Sequence, residues 1–507
     1  MNKKFVIIGV VLVLAITGII IGVSVSKKST STSDKSKNDS TSPSSPAPTA
    51  SAKSDHSAGK AWPAKGGATS NATSGSSSGT GSGANAKVSK IKSKPTEAKY
   101  TLSAFAVGDW GTTTTKDSCC KRRKGGFTND DVYAEDIIAG LMNKQAGLAE
   151  IKPKVVIGHG DNFYWTGINS AAGQEHRFQV TFEEKFSGAN LKDIPWVNVM
   201  GNHDFGGSSY MCSSGDDPAP CSSAEELVAA LENKFKWQSQ YKSPNGNRWI
   251  MKDHFYVHSI ADAASNVSID IFNIDTNDAD AHGLRQICCQ CYGYDPTNDC
   301  EHALPGEKRC AGGDMGMFNA CKAKIMEWAE DSRAQLLEKV KASTATWKIV
   351  NTHYSPYGHY NDARIPMWFD LLKGLGVQVW IYGHTHGEKH DYAASLGTHF
   401  IENGAGGGIQ SESASGIVPS VLDTVSKIWS YEGNKYGFFS LTASEEWLKV
   451  NYHTYPKGWA AGDSFTSADV PDVSTNHCWY IPVDGGKGMV CDAKAEYPPA
   501  EASALED

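Results

Sequence analysis

The sequence lacks the excess of positive charge that a general nucleic-acid-binding chain carries. Its 48 Lys and Arg residues are outnumbered by 56 Asp and Glu residues, which gives a net charge of −8 at pH 7. This balance excludes a globally basic nucleic-acid-binding protein, so we expect no nucleic acid among its partners.

Large apolar side chains are almost missing from residues 29–99, which consist mainly of Ser, Thr, Gly, Ala and Lys. Such a segment cannot bury enough surface to offset the entropy lost on ordering, which excludes a packed domain there. We interpret it as a disordered Ser/Gly-rich stalk. In residues 1–28, the uncharged apolar run from Phe5 to Val25 is long enough to cross a bilayer. We predict a cytosolic N-terminus and a signal anchor, hence a single-pass type II membrane protein. A cleaved signal peptide and a secreted protein are the alternative.

The 12 cysteines do not form cleanly paired C-x-x-C motifs. Downstream of a secretory-type segment, an even number of clustered cysteines predicts disulfides in an oxidising, lumenal or extracellular compartment. A zinc site between Cys288 and Cys300 is the alternative. The N-x-S/T sequons at Asn38, Asn71 and Asn266 are compatible with a glycoprotein outside the cytosol.

The pattern of apolar residues changes at Tyr100. We predict a catalytic domain at 100–456, followed by a C-terminal extension at 457–507 whose end is disordered. Two long irregular insertions, 205–248 and 278–321, hold eight of the cysteines. Loops of this length inside a domain tend to be functional lids or family-specific additions, and we expect disulfides to pin them.

Short apolar strands in this domain are repeatedly followed by polar residues flanked by glycine. We predict strands at 102–107, 154–158, 196–200, 249–260, 267–274, 347–350, 377–382, 437–443 and 447–452, and helices at 131–149, 174–186, 322–342 and 365–375. Side chains placed at the ends of several strands converge on one rim of a sheet, which is a rigid base for a metal site.

Five short segments of this kind occur along the chain and supply two Asp, one Tyr, one Asn and three His. They are Gly108-Asp109-Trp110-Gly111, Gly160-Asp161-Asn162-Phe163-Tyr164, Gly201-Asn202-His203-Asp204, Val350-Asn351-Thr352-His353 and Gly383-His384-Thr385-His386. Each segment is short enough to arise by chance, and Gly-Asn-His-Asp or Gly-His-Thr-His alone is more often a turn than a site. As a set at strand ends, they predict two adjacent metal ions.

Asp161 is the natural bridging ligand, because a carboxylate after a strand can offer oxygen to two ions. The remaining ligands divide into two sites: Asp109, Tyr164 and His386 in one, and Asn202, His353 and His384 in the other. Anionic oxygens, including a phenolate, stabilise a trivalent ion such as Fe(III). Imidazole and a neutral amide suit divalent Fe, Zn or Mn. Such a pair generates hydroxide at acid pH and holds a phosphate while hydroxide attacks in line.

The five segments resemble those of the purple acid phosphatases, within the calcineurin-like metallophosphoesterases. In the wider group the first segment usually reads D-x-H, but here Gly111 stands at the third position. Tyr164, three residues after Asp161, takes the place of that histidine, as in the purple subgroup. The stretch from Val155 to Ile168 resembles the small, mammalian-type members most closely.

The resemblance covers roughly Thr101 to Tyr455 and implies an α+β fold (αββα), a sandwich of two β-sheets flanked by helices. It implies an acid phosphatase with an Fe(III) and divalent metal centre, a tyrosinate-to-Fe(III) colour, and phosphorylated small molecules or phosphoproteins as substrates. It also implies that His203 contacts phosphate. His359 is the candidate that protonates the leaving group, although its spacing from His353 departs from the family pattern.

Two other functions stay open. A phosphodiesterase or nucleotide hydrolase would use the same metals, because the insertions set the pocket that separates these activities. A catalytically retired protein serving as a receptor or anchor is the third hypothesis. The basic run Lys121 to Lys124 is either a solvated charge run, a protease-sensitive site or an attractor of polyanionic substrates. Five further histidines are expected to have ordinary structural roles: His159, His254, His258, His282 and His390.

Overall fold

The computed structural model describes residues 91–112, 128–215, 217–296, 300–407 and 412–491. Several predictions concern residues outside these ranges, namely the apolar run 5–25, most of the stalk, Cys119, Cys120, the basic run Lys121 to Lys124 and the C-terminal end. Among the described residues, no helix combines the length and the apolar character needed to cross a membrane.

Two large β-sheets form the body of the protein. The first sheet contains, in spatial order, Met489–Val490, Ser474–Pro482, Trp447–Thr454, Phe438–Ala443, Leu102–Val107, Pro153–Gly158, Trp196–Val197 and Trp249–Ile250. The second sheet contains Val425–Ser430, Glu388–Ala393, Thr398–Asn403, Val379–Tyr382, Trp347–Asn351, Val267–Ile274 and Phe255–Asp262. A small hairpin pairs Cys212–Ser214 with Asp217–Ala219.

The two sheets pack face to face. In the strand Leu102–Val107, the side chains of Leu102 and Ala104 join a fully buried cluster that includes Ile271 and Ile349 of the second sheet. The alternate side chain Phe105 points the other way, into a cluster with residues of the helix Ala134–Leu148. Alternation along a strand therefore buries both of its faces, one against a sheet and one against a helix.

Helices cover the outer face of each sheet. The α-helices are Asn129–Val132, Ala134–Leu148, Ala171–Arg177, Ala224–Ser239, Leu284–Cys289, Cys291–Tyr294, Met315–Ala342 and Ile365–Leu372. A π-helical turn lies at Phe178–Glu183. The 3-10 turns are His203–Phe205, Cys300–His302, Ala311–Gly313, Pro419–Val421 and Ser467–Asp469. Leu336 and Trp368 pack with Phe272 and Val350 on the outside of the second sheet. The predicted αββα sandwich is confirmed.

Parallel pairing brings several strand ends to one edge of the sandwich. Leu102–Val107 runs parallel to Pro153–Gly158, which runs parallel to Trp196–Val197. In the second sheet, Trp347–Asn351 runs parallel to Val379–Tyr382. Because the carboxyl ends of parallel strands lie at the same edge, the residues that follow all five strands meet there.

The predicted strand 249–260 is wrong as a single element. Trp249–Ile250 pairs with Trp196–Val197 in the first sheet, whereas Phe255–Asp262 pairs with Val267–Ile274 in the second. The chain crosses from one sheet to the other through Met251 to His254. A continuous apolar run does not reveal such a crossing, because both halves are equally buried.

Seven strands are not predicted from the sequence: Cys212–Ser214, Asp217–Ala219, Glu388–Ala393, Thr398–Asn403, Val425–Ser430, Ser474–Pro482 and Met489–Val490. Every residue of Glu388–Ala393 is buried, although the strand contains Glu388, Lys389, His390 and Asp391. The Lys389 ammonium lies 3.1 Å from the Asp391 carboxylate, so the buried charges compensate each other. The strand Glu388–Ala393 was not predicted because its charged side chains are typical of a polar loop.

The two insertions have more regular structure than expected. The first contains the 16-residue helix Ala224–Ser239, which packs against the helix Met315–Ala342. Ser223 caps it by accepting a hydrogen bond from the Glu226 amide at 3.2 Å. The S-x-x-E pattern that marks such a cap is present in the sequence and would have revealed the helix.

Disulfides pin both insertions, as expected. The described cysteines pair as Cys212–Cys221, Cys288–Cys321, Cys289–Cys310, Cys291–Cys300 and Cys478–Cys491, and none of them is free. The zinc alternative at Cys288 to Cys300 is therefore wrong. Five disulfides are typical of an extracellular or secretory-pathway protein.

Two predicted helices are interrupted. The segment expected at 131–149 divides at Tyr133 into Asn129–Val132 and Ala134–Leu148, and Thr128 caps the first piece. The segment expected at 174–186 begins at Ala171 and changes to a π-helical turn at Phe178–Glu183.

A chain of three buried histidines joins the C-terminal strand to the second sheet. Nδ1 of His390 lies 2.9 Å from Nε2 of His477, and Nε2 of His390 lies 2.8 Å from Nδ1 of His399. Nε2 of His399 lies 3.1 Å from the Gly486 carbonyl. One tautomer of each neutral ring satisfies every contact, with His399 donating to Gly486, His390 to His399 and His477 to His390.

This histidine chain predicts acid sensitivity of folding. Burial lowers the pKa of His399 to about 4 and of His477 to about 3, and it also lowers that of His390. Between these values and about pH 6.5 the unfolded chain binds protons that the folded chain excludes. Stability is therefore full above about pH 6.5 and falls as the pH drops, by up to about 1.4 kcal/mol per pH unit for each ring.

We expect His477→Gln to reduce the slope of unfolding free energy between pH 5 and 6.5, measured by denaturant titration. The variant loses one proton-linked ring as well as some stability. Ile481→Val, on the same strand, is the matched control, because it removes packing but no titratable group and should keep the wild-type slope. An unchanged slope in His477→Gln would show that the ring does not couple folding to protonation.

Candidate metal centre

Three of the predicted ligands occupy strained backbone positions just beyond strand ends. Asp109, Asp161 and His384 have φ angles of 55°, 51° and 70°, in the left-handed region that non-glycine residues rarely adopt. A Cβ atom at Gly201 would overlap the carboxylate of Asp161, and one at Gly383 would overlap that of Asp109. The left-handed backbone of these three residues and the close approach of Gly201 and Gly383 both direct the side chains toward one point on the rim.

Asp109, Tyr164 and His386 form the tyrosine triangle. The Tyr164 hydroxyl lies 3.2 Å from Oδ1 of Asp109 and 3.2 Å from Nε2 of His386. The third edge, from His386 Nε2 to Asp109 Oδ1, is 3.6 Å. All three side chains are buried. Burial and the charges of Asp161 and Asp109 raise the pKa of Tyr164, so the phenol keeps its proton unless a cation stabilises the phenolate.

Asn202, His353 and His384 form the asparagine triangle. Oδ1 of Asn202 lies 3.1 Å from Nε2 of His353 and 3.1 Å from Nδ1 of His384. The two ring nitrogens are 3.2 Å apart. These six side chains therefore lie in two groups of three.

Asp161 lies between the triangles. Its Oδ1 is 3.6 Å from Nε2 of His353 and accepts a hydrogen bond from the His203 amide at 2.9 Å. Its carboxylate also interacts with the Tyr164 hydroxyl. Donor atoms of Asp109, Asp161 and His353 all lie within 4.8 Å of one another. Burial and the neighbouring charge of Asp161 raise the pKa of Asp109, because two carboxylates cannot both ionise there without compensation.

The donor set suits metal ions. Nδ1 of His353 donates to the His159 carbonyl at 2.8 Å, so the lone pair of the neutral ring is on Nε2. That lone pair faces Oδ1 of Asn202, another acceptor, and a cation between them would resolve the conflict. Ligands about 2.1 Å from one ion lie about 3.0 to 3.4 Å apart, close to the edges of both triangles.

Asp204 organises the two loops that carry Asp161 and Asn202. Its carboxylate accepts hydrogen bonds from the backbone amides of Asn162, Phe163 and Gly201 at 2.8 to 3.1 Å. Burial, followed by the charge of Asp161, raises the pKa of Asp204 to about 7. Asp204 stands in the segment Gly201-Asn202-His203-Asp204, but no role is predicted for it from the sequence. Most of the hydrogen bonds that Asp204 accepts come from residues far away in the chain, so no local sequence pattern predicts them.

A buried polar network supports the site from behind. Nδ1 of His159 lies 2.6 Å from Oδ1 of Asn351, and its Nε2 lies 3.1 Å from Nδ2 of Asn403. Asn351 also donates to the Gly158 carbonyl at 2.9 Å, across the two sheets. Both ring nitrogens of His159 contact asparagines of this network, and its carbonyl orients His353.

The two predicted catalytic histidines lie on opposite sides of the centre. His203 is partly buried, its ring is 4.6 Å from that of Tyr164, and its Nδ1 lies 2.9 Å from the Trp165 carbonyl. The ring of His359 is 4.7 Å from that of His384. Nδ1 of His359 accepts from the Ser355 amide at 3.1 Å, which leaves the proton of the neutral ring on Nε2. Burial lowers the pKa of His359 to about 3.

The fold and the donor arrangement define a metallophosphoesterase. Residues 105–388 match the family model described as calcineurin-like phosphoesterase, so the chain belongs to that family. Curated relatives confirm the resemblance to the purple acid phosphatases within it.

Two of these relatives differ in how much of their length matches. The chain is 29% identical over 175 residues to tartrate-resistant acid phosphatase type 5 of Sus scrofa, which is 34% of this chain and 39% of that protein. It is 23% identical over 369 residues to purple acid phosphatase 3 of Arabidopsis thaliana, which is 71% of this chain and 76% of that protein. The chain therefore matches less than half of the mammalian relative.

Two solved structures align with the chain at low sequence identity. A purple acid phosphatase from yellow lupin seeds, PPD1, aligns at 16% identity over 75% of this chain and 55% of its own, with a TM-score of 0.37. GAP50, described as the anchor in the inner membrane complex of Plasmodium, aligns at 16% identity over 71% of this chain and 87% of its own, with a TM-score of 0.44.

Proposed function

We propose that this protein is a metal-dependent acid phosphatase that hydrolyses phosphate monoesters of small molecules or phosphoproteins. The observation that carries the proposal is the placement of Asp161 between two triangles of donor atoms, each with edges of 3.1 to 3.6 Å. Membership of the calcineurin-like phosphoesterases and similarity to purple acid phosphatases support the same chemistry.

In this proposal the tyrosine triangle would hold Fe(III), the asparagine triangle would hold divalent Fe, Zn or Mn, and Asp161 would contribute to both sites. The tyrosine triangle has the harder, more anionic donors, which stabilise a trivalent ion. When bound, the two ions supply Lewis acidity and a nucleophile at acid pH. The left-handed backbone at Asp109 and Asp161 keeps both carboxylates directed at the rim.

His203 and His359 are proposed to contact the substrate. Because the Trp165 carbonyl holds Nδ1 of His203, protonation at Nε2 makes that ring a hydrogen-bond donor to a phosphate oxygen. Nε2 of His359 lies 3.4 Å from the Thr385 hydroxyl, beside His384. The N–H group of His359 would reach the leaving oxygen of the substrate from the side on which the asparagine triangle lies.

The proposed location is the secretory pathway or the cell exterior, where the disulfides persist. Anchoring through residues 5–25 as a type II membrane protein, or release after cleavage there, belongs to this proposal. It rests on the length and composition of that segment.

Hydrolysis of p-nitrophenyl phosphate at acid pH by the purified protein tests the function. We expect activity in the wild type and a loss of about 100-fold or more in Asn202→Ala, because removal of one ligand opens the asparagine triangle. Elemental analysis accompanies both assays. An inactive protein with two bound metals would contradict the phosphatase proposal. Hydrolysis of bis(p-nitrophenyl) phosphate would then identify a diesterase, and inactivity on both would favour a receptor or anchor.

A further inference from the structure

A cavity of about 280 Å³ opens between the second insertion and the loop that follows the strand Trp347–Asn351. The insertion contributes Asp280, His282, Arg285 and Glu301 to its walls, and the loop contributes His359 and Tyr360. The lining side chains therefore place charges of both signs around the cavity.

The cavity adjoins the proposed metal centre. The rings of His282 and His359, which line it, lie 5.4 Å and 4.7 Å from the ring of His384. His384 belongs to the asparagine triangle. A phosphate ester held at the metals could therefore extend its alcohol portion past His359 into the cavity. An ordinary structural role is predicted for His282 from the sequence, because no neighbouring residue marks a site.

Asp280 and Tyr360, which line the cavity, already have hydrogen-bond partners. Asp280 accepts from the Asn361 amide at 2.9 Å and from Arg364 at 3.3 Å. The Tyr360 hydroxyl donates to Asp278 at 2.8 Å. These contacts fix the wall without using the interior of the cavity.

Arg285 differs from Asp280 and Tyr360 in how much of its hydrogen-bonding capacity the protein uses. Its guanidinium is half-buried and donates to the Ala303 carbonyl at 3.0 Å, its one hydrogen-bond acceptor among the described residues. Since a guanidinium has five N–H donors in a planar fork, most of its capacity is available to an anionic group. A carboxylate or phosphate matches that fork with two parallel hydrogen bonds.

Two disulfides hold Arg285 in place. It lies in the short helix Leu284–Cys289, and the next turn of that helix is tied by Cys288–Cys321 and Cys289–Cys310. A rigid support of this kind lowers the entropy lost when a ligand is bound.

We infer that this cavity receives the leaving group of the substrate and that Arg285 selects phosphate monoesters whose alcohol portion carries a second anionic group. The inference rests on the proposed phosphatase function and adds a substrate class to it. Arg285 acts as a specificity-determining residue, and the second insertion supplies the selectivity.

Matched substrates test this inference on the full chain. Phenyl phosphate is compared with its 3-carboxy and 4-carboxy derivatives, which differ only in the added carboxylate. We expect the wild type to prefer a carboxylated ester, mainly through a lower KM. In Arg285→Gln, the ratio of kcat/KM for that ester to kcat/KM for phenyl phosphate should fall about tenfold. Arg309→Gln is the control, because Arg309 lies in the same insertion but binds Glu307 and lines no wall of the cavity.

Binding of non-hydrolysable analogues separates this inference from the phosphatase proposal. Calorimetry compares 4-carboxybenzylphosphonate with benzylphosphonate, so selectivity is measured whether or not the esters are cleaved. Loss of the carboxylate preference in Arg285→Gln but not in Arg309→Gln supports the inference even if no ester is hydrolysed. Equal binding of the two phosphonates by the wild type, or an equal change in both variants, would overturn it while leaving the phosphatase assay to stand alone.

Discussion

Replacing Asp161 by Asn is expected to lower kcat/KM for p-nitrophenyl phosphate by about 1,000-fold, equivalent to about 4 kcal/mol of transition-state stabilisation. The amide offers one weaker oxygen in place of a carboxylate that lies between both triangles. Asn also tolerates the left-handed φ of 51° at this position, so the backbone should be retained. Metal content, measured by elemental analysis of the purified variant, should fall below that of the wild type.

Asp362→Asn provides the control for this result, because it makes the same chemical change at an exposed position. It should keep wild-type activity and metal content. Full activity in Asp161→Asn would show that Asp161 does not bridge two ions. An inactive variant with an altered circular dichroism spectrum would instead indicate a loss of fold.

The second large effect is expected from Asp204→Ala. The change leaves the backbone amides of Asn162, Phe163 and Gly201 buried without an acceptor. Each unsatisfied donor costs about 1–3 kcal/mol. Removal of a buried carboxylate, whose pKa is raised to about 7 by burial and Asp161, offsets part of this cost. We expect a net loss of about 3–6 kcal/mol in the free energy of unfolding, measured by denaturant titration.

The same variant should bind metal more weakly, because the loops of Asp161 and Asn202 lose their shared anchor. Asp204→Asn separates the effect of side-chain shape from that of charge, because the neutral Asn keeps the shape of Asp and one acceptor oxygen. Its stability should lie between those of the wild type and Asp204→Ala. If Asp204→Ala were as stable as the wild type with normal metal content, the loops would not depend on this carboxylate.

The predicted sandwich and the central strands could be derived from the sequence because their signals are local or carried by the family resemblance. Leu102–Val107 and Val379–Tyr382 are short apolar runs that end at polar, glycine-flanked residues. By contrast, Glu388–Ala393 was missed because its charges are compensated by distant partners, such as Glu402 for Lys389 at 3.8 Å. Local hydrophobicity cannot report compensation that arises between strands.

The sequence by itself determined the chemistry of the candidate site. The order of its five segments, each placed after an apolar strand, specifies which oxygen and nitrogen donors reach the rim. The D-x-G pattern at Asp109 and the position of Tyr164 further predict a tyrosine donor in place of a histidine.

Only the tertiary structure decided how those donors and their surroundings are arranged. The edges of both triangles, the anchoring role of Asp204 and the cavity beside His384 all depend on contacts between segments far apart in the chain. Arg285 lines that cavity on a short helix that two disulfides and the helix Met315–Ala342 hold in place. A local pattern encodes the periodicity of an element, but it does not encode which distant side chain the element will meet.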